Sequence, residues 1–206
     1  MKKYKNFKIK ELKSINNQEL SEIIKLIKNE NPESILASLQ KNIIKNYINK
    51  VVVSNDFLIF VLQGKKKIIA YAILVKNVEK LISIFSDMKI KILLSLIINL
   101  KFIKLINIIL GYLKIDLIFI EKKYKNIISS NINLNLLAVE KKYQSQGLGT
   151  YFLNKILNRI NKSKYITVEA INERAFKFYK KIHKFKLAGS KLRFPKQLKV
   201  LYKKII

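Results

Sequence analysis

The sequence predicts a mixed α/β (α+β) domain, and three observations carry that expectation. Short β-rich or alternating runs at 7–13, 56–62, 68–75, 132–139 and 165–170 read as strands. Segments with apolar residues at helical spacing lie between them, so strands and helices interleave rather than separating into blocks. Half of the 206 residues are hydrophobic, ample for a buried core and too many for a disordered basic tail.

In chain order, Phe7 to Lys13 alternates apolar and polar residues, as a half-buried strand does. Asn17 to Ile27 follows as an amphipathic helix with acids in its first turn, where the helix dipole favours them. Pro32 interrupts that pattern, and a second helix runs from about Ser34 to Asn49. The strands at 56–62 and 68–75 are joined at Gln63-Gly64-Lys65-Lys66, with Gly64 expected to supply a positive φ.

The stretch from about 77 to 131 is expected to be a helical insertion between the third and fourth strands of a single domain, 1–206. It is dominated by Lys89 to Lys114, where no uncharged run exceeds nine residues, too short to span a bilayer. Lys101, Lys104, Asn107, Gly111 and Lys114 recur at helical spacing as a polar stripe and leave a wide apolar face. Three covers for that face are open: the chain's own domain, a second copy or a lid over substrate, and a membrane surface contacted without being spanned. Residues 121–131 read as a solvated link.

Residues 132–139 form a strand buried towards its end, 140–149 a polar turn with two of the five glycines, and 150–161 a helix. A strand at 165–170, a helix at 172–182 and closing strands at about 186–194 and 197–205 complete the chain.

Composition removes several chemistries. With no Cys and His183 as the one His, there is no thiol nucleophile, His-based triad or multi-His metal centre, and no metal is expected. The basic N-terminus has no apolar core of a signal peptide, so a cytoplasmic protein is expected. The formal charge of +29 comes from 42 basic and 13 acidic residues, yet Arg159, Arg174 and Arg193 are the only Arg. Duplex recognition leans on Arg forks, so nucleic acid is set aside as a partner. What remains is a field that draws anions and repels polycations.

A strand running into a glycine-bearing turn and then a helix is an anion site, because backbone N–H groups and the helix dipole converge there. The turn lacks the third glycine of a dinucleotide fingerprint and the Gly-Lys-Ser/Thr of a P-loop. Leu137-Ala138-Val139-Glu140-Lys141-Lys142-Tyr143-Gln144-Ser145-Gln146-Gly147-Leu148-Gly149 strongly resembles motif A of the GNAT N-acetyltransferases, Gln/Arg-x-x-Gly-x-Gly/Ala. Downstream, Asn172-Glu173-Arg174-Ala175-Phe176-Lys177-Phe178-Tyr179 resembles their motif B. The resemblance covers about 132–205, and the order of the opening elements agrees with the same fold: a central mixed, mostly antiparallel twisted sheet flanked by helices.

The resemblance implies an acyltransferase that uses acetyl-CoA or a related acyl-CoA as cosubstrate. Backbone groups of Leu137 and Val139, with Ala138 between them, would pair with the pantetheine arm, and the Val139 N–H would donate to the thioester oxygen. Amides of Gln144, Gln146, Gly147, Leu148, Gly149 and Thr150 would hold the pyrophosphate. Asn172 and Ala175 would border the cofactor, and Tyr179 would protonate the departing thiolate. Val139 and Tyr179 are thus the catalytic candidates. Without the resemblance, Asn172 reads as a helix N-cap and Tyr179 as a packing residue; Lys141, Lys142 and Lys180 read as solvated or as phosphate contacts.

Two departures from the family pattern stand out. Many relatives carry Glu five residues before the motif B Asn, where this chain has Thr167, leaving Glu169 as the one carboxylate of that strand. Relatives commonly end the motif B helix with Leu-Gly-Phe, here His183-Lys184-Phe185, which makes His183 a helix-end surface residue and leaves the general base unassigned. The acceptor region of this family lies near the first two helices, where Glu30, Asn31 and Glu33 occur. The charge favours a small anionic amine, such as a nucleotide-linked amino sugar, over a polyamine. Alternatives are a ribosomal-protein N-terminal acetyltransferase, or a non-catalytic module that binds RNA, ribosomes or anionic membranes.

Overall fold

The computed structural model describes residue 4 and residues 6–65, 67–76, 78–113, 119–129, 131–160 and 165–205. Lys66 of the expected hairpin, Lys114 of the polar stripe and Ser130 of the expected link fall outside the described residues.

The elements in order are β1 (Phe7–Leu12), α1 (Asn17–Glu30), α2 (Lys41–Val53), β2 (Phe57–Gly64), β3 (Lys67–Val75), α3 (Val78–Asp87), α4 (Lys89–Ile98) and α5 (Phe102–Tyr112). There follow α6 (Lys122–Ser129), β4 (Ile132–Val139), α7 (Leu148–Arg159), β5 (Tyr165–Ala170), α8 (Glu173–Lys177), β6 (Lys186–Arg193) and β7 (Lys196–Lys204). This is the interleaved α/β pattern expected, and every strand pair whose register is defined is antiparallel.

The chain divides into two compact units, 1–76 with 134–161 and 77–133 with 162–206. In the first, strands run in the order β1-β2-β3-β4. Phe7 pairs with Gly64 and Leu12 with Ile59 across β1 and β2, and Phe57 pairs with Val75 across β2 and β3. All but the first residue of β3 is buried, as befits a strand covered on both faces. α1 lays Leu20, Ile23, Ile24 and Ile27 into this core, and α7 adds Phe152, Leu153 and Ile156. Asn16 caps α1 by accepting from the Glu19 N–H while Glu19 accepts from the Asn16 N–H, a reciprocal box that fixes where the helix starts.

One local expectation is corrected here. The left-handed residue of the β2–β3 turn is Lys65, at φ 45°, and not Gly64. Gly64 is needed for room, because a Cβ there would lie 2.8 Å from the Phe7 ring.

In the second unit β7 lies between β5 and β6. Among the described residues, α3 to α6 lie between β3 and β4, and the Lys89–Lys114 stretch, expected as a helix or helix pair, holds α4 and α5. Residues 122–129 form α6, so the expected solvated link is a helix; its Tyr124 packs on Ile120, Ala188 and Val200, a tertiary contact that polar composition alone does not announce. No helix among the described residues is long and apolar enough to cross a membrane.

Candidate functional site

The exit of β4 is held at several points. The Val139 carbonyl accepts from Gln144 Nε2 at 2.7 Å, and the next N–H, that of Glu140, donates to the Ile69 carbonyl at 2.8 Å. Both polar groups of the Val139–Glu140 peptide are thus fixed. Glu30, the last residue of α1, reaches across to accept from the Lys141 N–H at 3.1 Å and from Gln144 Nε2 at 3.0 Å. Glu140 in turn pairs with Lys67 at 2.9 Å, tying the turn to the start of β3.

Beyond this anchor Ser145 and Gly147 take left-handed backbone angles, φ 62° and 81°, and turn the chain into α7. Gly147 is the N-cap and makes no side-chain cap. The first bond of the helical ladder runs from the Tyr151 N–H to the Gly147 carbonyl at 3.0 Å. The amides of Gly147, Leu148, Gly149 and Thr150 therefore stand ahead of the ladder at the positive end of the helix dipole, the arrangement that takes a phosphate.

Tyr4 braces the same turn. Its hydroxyl donates to the Gln146 carbonyl at 2.7 Å, and its ring stacks on Tyr151 with centroids 4.8 Å apart. A Cβ on Gly147 would lie 2.6 Å from that hydroxyl, so the glycine is required twice over, for its angle and for Tyr4. The structure thus groups Leu137, Ala138, Val139, Gln144, Gln146, Gly147, Leu148, Gly149 and Thr150 at one strand–turn–helix junction of the first unit. Gln144 differs in use from its neighbours: its own N–H is taken by the Lys141 carbonyl and its side chain secures the strand exit. The Gln146 side chain folds back to the Lys142 carbonyl.

The first unit also buries two tyrosines, Tyr47 and Tyr71, that the sequence did not single out. Asn31 donates to the Tyr71 hydroxyl at 2.6 Å, and Tyr47 is fully buried in the same unit. Burial raises both phenol pKa values, so both tyrosines stay protonated. β-Strand or helix periodicity reads such tyrosines simply as apolar positions.

Asn172, Ala175 and Tyr179 lie in the second unit. Asn172 caps α8, its side chain accepting from the Ala175 N–H at 2.8 Å. Ala175 is half-buried. Tyr179 is buried in a π-helical turn, Phe178–Ile182, between the rings of Phe178 and Phe185, and burial raises its pKa. Thr167 is buried, and its hydroxyl is engaged with the Ile132 carbonyl and the Asn133 amide. Burial pushes the Glu169 carboxyl up, but Lys191 at 2.9 Å and Arg193 at 3.1 Å outweigh it and hold the group at about 2. A carboxylate so held is a poor proton acceptor.

His183 corrects an expectation. It is 3% exposed, not a surface residue, and its ring packs edge-on to Phe178 with centroids 4.6 Å apart. The cause is the π turn, whose extra residue changes the direction of the positions after Phe178 and carries the ring inward. Burial, reinforced by the nearby charge of Lys203, lowers its pKa to about 4.

A strand exit locked on both sides of one peptide is followed by a glycine turn whose amides stand ahead of the helical ladder, a junction suited to an anionic group. Residues 102–191 match the family described as the acetyltransferase (GNAT) domain. A protein of Pyrococcus horikoshii shares the fold at TM-score 0.58 and 18% identity, over 96% of this chain and 98% of its own. The ribosomal-protein-S18-alanine N-acetyltransferase of Escherichia coli does so at TM-score 0.56 and 15% identity, over 97% and 94%. The polyamine N-acetyltransferase of Drosophila melanogaster does so at 0.61 and 10%, over 96% and 100%. No curated protein matches the chain in sequence. Residues 102–191 thus match the GNAT acetyltransferase domain, and the chain shares the fold of these acetyltransferases.

Proposed function

We propose that this protein is an N-acetyltransferase that moves an acetyl group from acetyl-CoA, or a closely related acyl-CoA, directly to the primary amine of a small anionic acceptor. The observation that carries the reading is the turn from Gln144 to Thr150, with left-handed Gly147 at the head of α7 and four amides ahead of the helical ladder. The 3′-phosphate and pyrophosphate of CoA suit such a donor set, and the net charge of +29 assists their approach.

The chemistry needs few groups. The neutral amine nitrogen attacks the thioester carbon, a C–N bond forms, and the carbonyl electron pair moves onto oxygen, where the Val139 N–H donates. Collapse breaks the C–S bond. Tyr179, kept protonated by burial, gives its proton to the thiolate and recovers one from the former amine through water. The anchored peptide after Val139 holds the strand exit in register for this step. An anionic amine, an amino-sugar nucleotide among them, is favoured because a chain of this charge slows the approach of a cationic acceptor. A ribosomal-protein N-terminus is the second reading, supported by the activity in the name of the Escherichia coli neighbour.

Calorimetric titration of acetyl-CoA at moderate and high salt tests the proposal, with Gly147→Glu as control. Saturable one-to-one binding that persists in salt and disappears in the variant is expected. Equal binding of any polyphosphate, erased by salt, would refute the acetyl-CoA site.

A further inference from the structure

Helices α4 and α5 face the wrong way for an ordinary surface hairpin. On α4, Ile90, Leu94, Ile97 and Ile98 are exposed and share one stripe, while Ile92, Ser95 and Leu96 of the opposite side are buried. On α5 and its C-cap residue the exposed stripe is Phe102, Ile103, Ile106, Ile109 and Leu113. Its polar residue Asn107 points inward instead, buried and donating to the carbonyls of Ile103 and Phe194 at 3.0 Å each. Lys104, on the same side as Asn107, is half-buried. The junction between the helices exposes Leu100 at 74%, in a left-handed conformation at φ 53°. An amphipathic helix normally turns its apolar stripe to the protein. Here the hydrogen bond of Asn107 to the Phe194 carbonyl holds α5 the other way round, so the apolar stripe is presented outward.

The charges around this face select its partner. From Met88 to Ile115 the sequence has five Lys and no Asp or Glu. Lys89, Lys91 and Lys101 are exposed. At about 100° of rotation per residue, Lys89 and Lys91 flank the α4 stripe on its two sides, where long side chains can reach outward past buried apolar neighbours. A second copy docking by two-fold symmetry would set these lysines against themselves, with Asp87 and Asp116 the only acids bordering the stretch, on chains that each carry +29. An anionic lipid surface supplies both an apolar layer for the isoleucines and negative headgroups for the lysines.

We infer that the outward apolar stripes of α4 and α5, flanked by Lys89, Lys91 and Lys101, dock this protein onto an anionic membrane surface, lying in the interface without spanning it. The inference is independent of the acetyl-transfer reading, since no residue of the β4–α7 junction takes part.

Sedimentation of the full chain with vesicles tests it, using equimolar phosphatidylglycerol and phosphatidylcholine against phosphatidylcholine alone. The protein is expected to pellet with the mixed vesicles and to stay in solution with the neutral ones. Ile98→Glu with Phe102→Glu alters two exposed positions, and circular dichroism checks that the variant is folded. Its partitioning falls about a hundredfold, since each large side chain withdrawn from the apolar layer is worth about tenfold or more. Lys89→Gln with Lys91→Gln weakens binding about twenty-fivefold, from about fivefold for each charge. Failure of the folded wild type to pellet with mixed vesicles, or equal pelleting with neutral ones, overturns the inference. So does a concentration-dependent dimer that the Ile98 and Phe102 substitutions dissolve, which would make a second copy the occupant.

Discussion

Gly147→Ala offers the sharpest test of the turn, because its cost can be worked from two separate features. The residue sits at φ 81°, where a side chain costs about 1 kcal/mol. The new Cβ would lie 2.6 Å from the Tyr4 hydroxyl, so Tyr4 must withdraw and its bond to the Gln146 carbonyl is lost, about 1 kcal/mol more. The total of about 2 kcal/mol is divided between lower stability and weaker CoA binding, up to about 30-fold if it all falls on binding. Tyr4→Phe alone costs about 1 kcal/mol, but it also removes the clashing atom, leaving the ring carbon beneath at 3.9 Å. The double variant should therefore lose about 1 kcal/mol less than the sum of the single variants. Urea unfolding and calorimetric CoA titration of all four proteins measure the cycle. Strict additivity, or a Gly147→Ala protein indistinguishable from wild type in both assays, would refute the reasoning.

Two further outcomes follow from the second unit. Tyr179→Phe should slow acetyl transfer at least about tenfold while CoA affinity stays within a factor of two, as expected for an acid that acts only when the thiolate departs; an unchanged rate across the pH range would remove Tyr179 from that role. His183 titrates near 6.5 when unfolded and at about 4 when folded, so between these values the unfolded chain binds the extra proton. Stability should therefore decline as pH falls from about 6.5 towards 4 and change little through this group above 7, and His183→Phe should flatten the urea-midpoint profile over that window. A profile just as steep in the variant would show that other groups cause it.

Local patterning was sufficient for most elements because secondary structure responds to periodicity over a few residues. The strand at 132–139 and the glycine turn after it are found where the sequence places them, and β5 keeps its expected bounds. The helix at 172–182 begins as expected but passes into a π turn at Phe178, and that one extra residue is why His183 is buried. Helix α6 was hidden because Glu121 to Ser130 is mostly polar, while its order derives from Tyr124 meeting Ile120, Ala188 and Val200.

The glycine turn was legible from its own residues, Gln144 to Thr150, because glycine angles and a helix start are local properties. What holds that turn was not. Tyr4 meets Gln146 across 142 positions, and Glu30 meets Gln144 across 114. Nothing in the composition of either neighbourhood encodes those pairings, since a tyrosine in a lysine-rich leader and an acid at a helix end have ordinary local explanations. The same division holds for α5. The sequence determined that one side of the helix is apolar and the other polar, but the energy of a helix alone is nearly indifferent to rotation about its axis. Only the tertiary partner of Asn107, the Phe194 carbonyl 87 positions away, decided which side faces out.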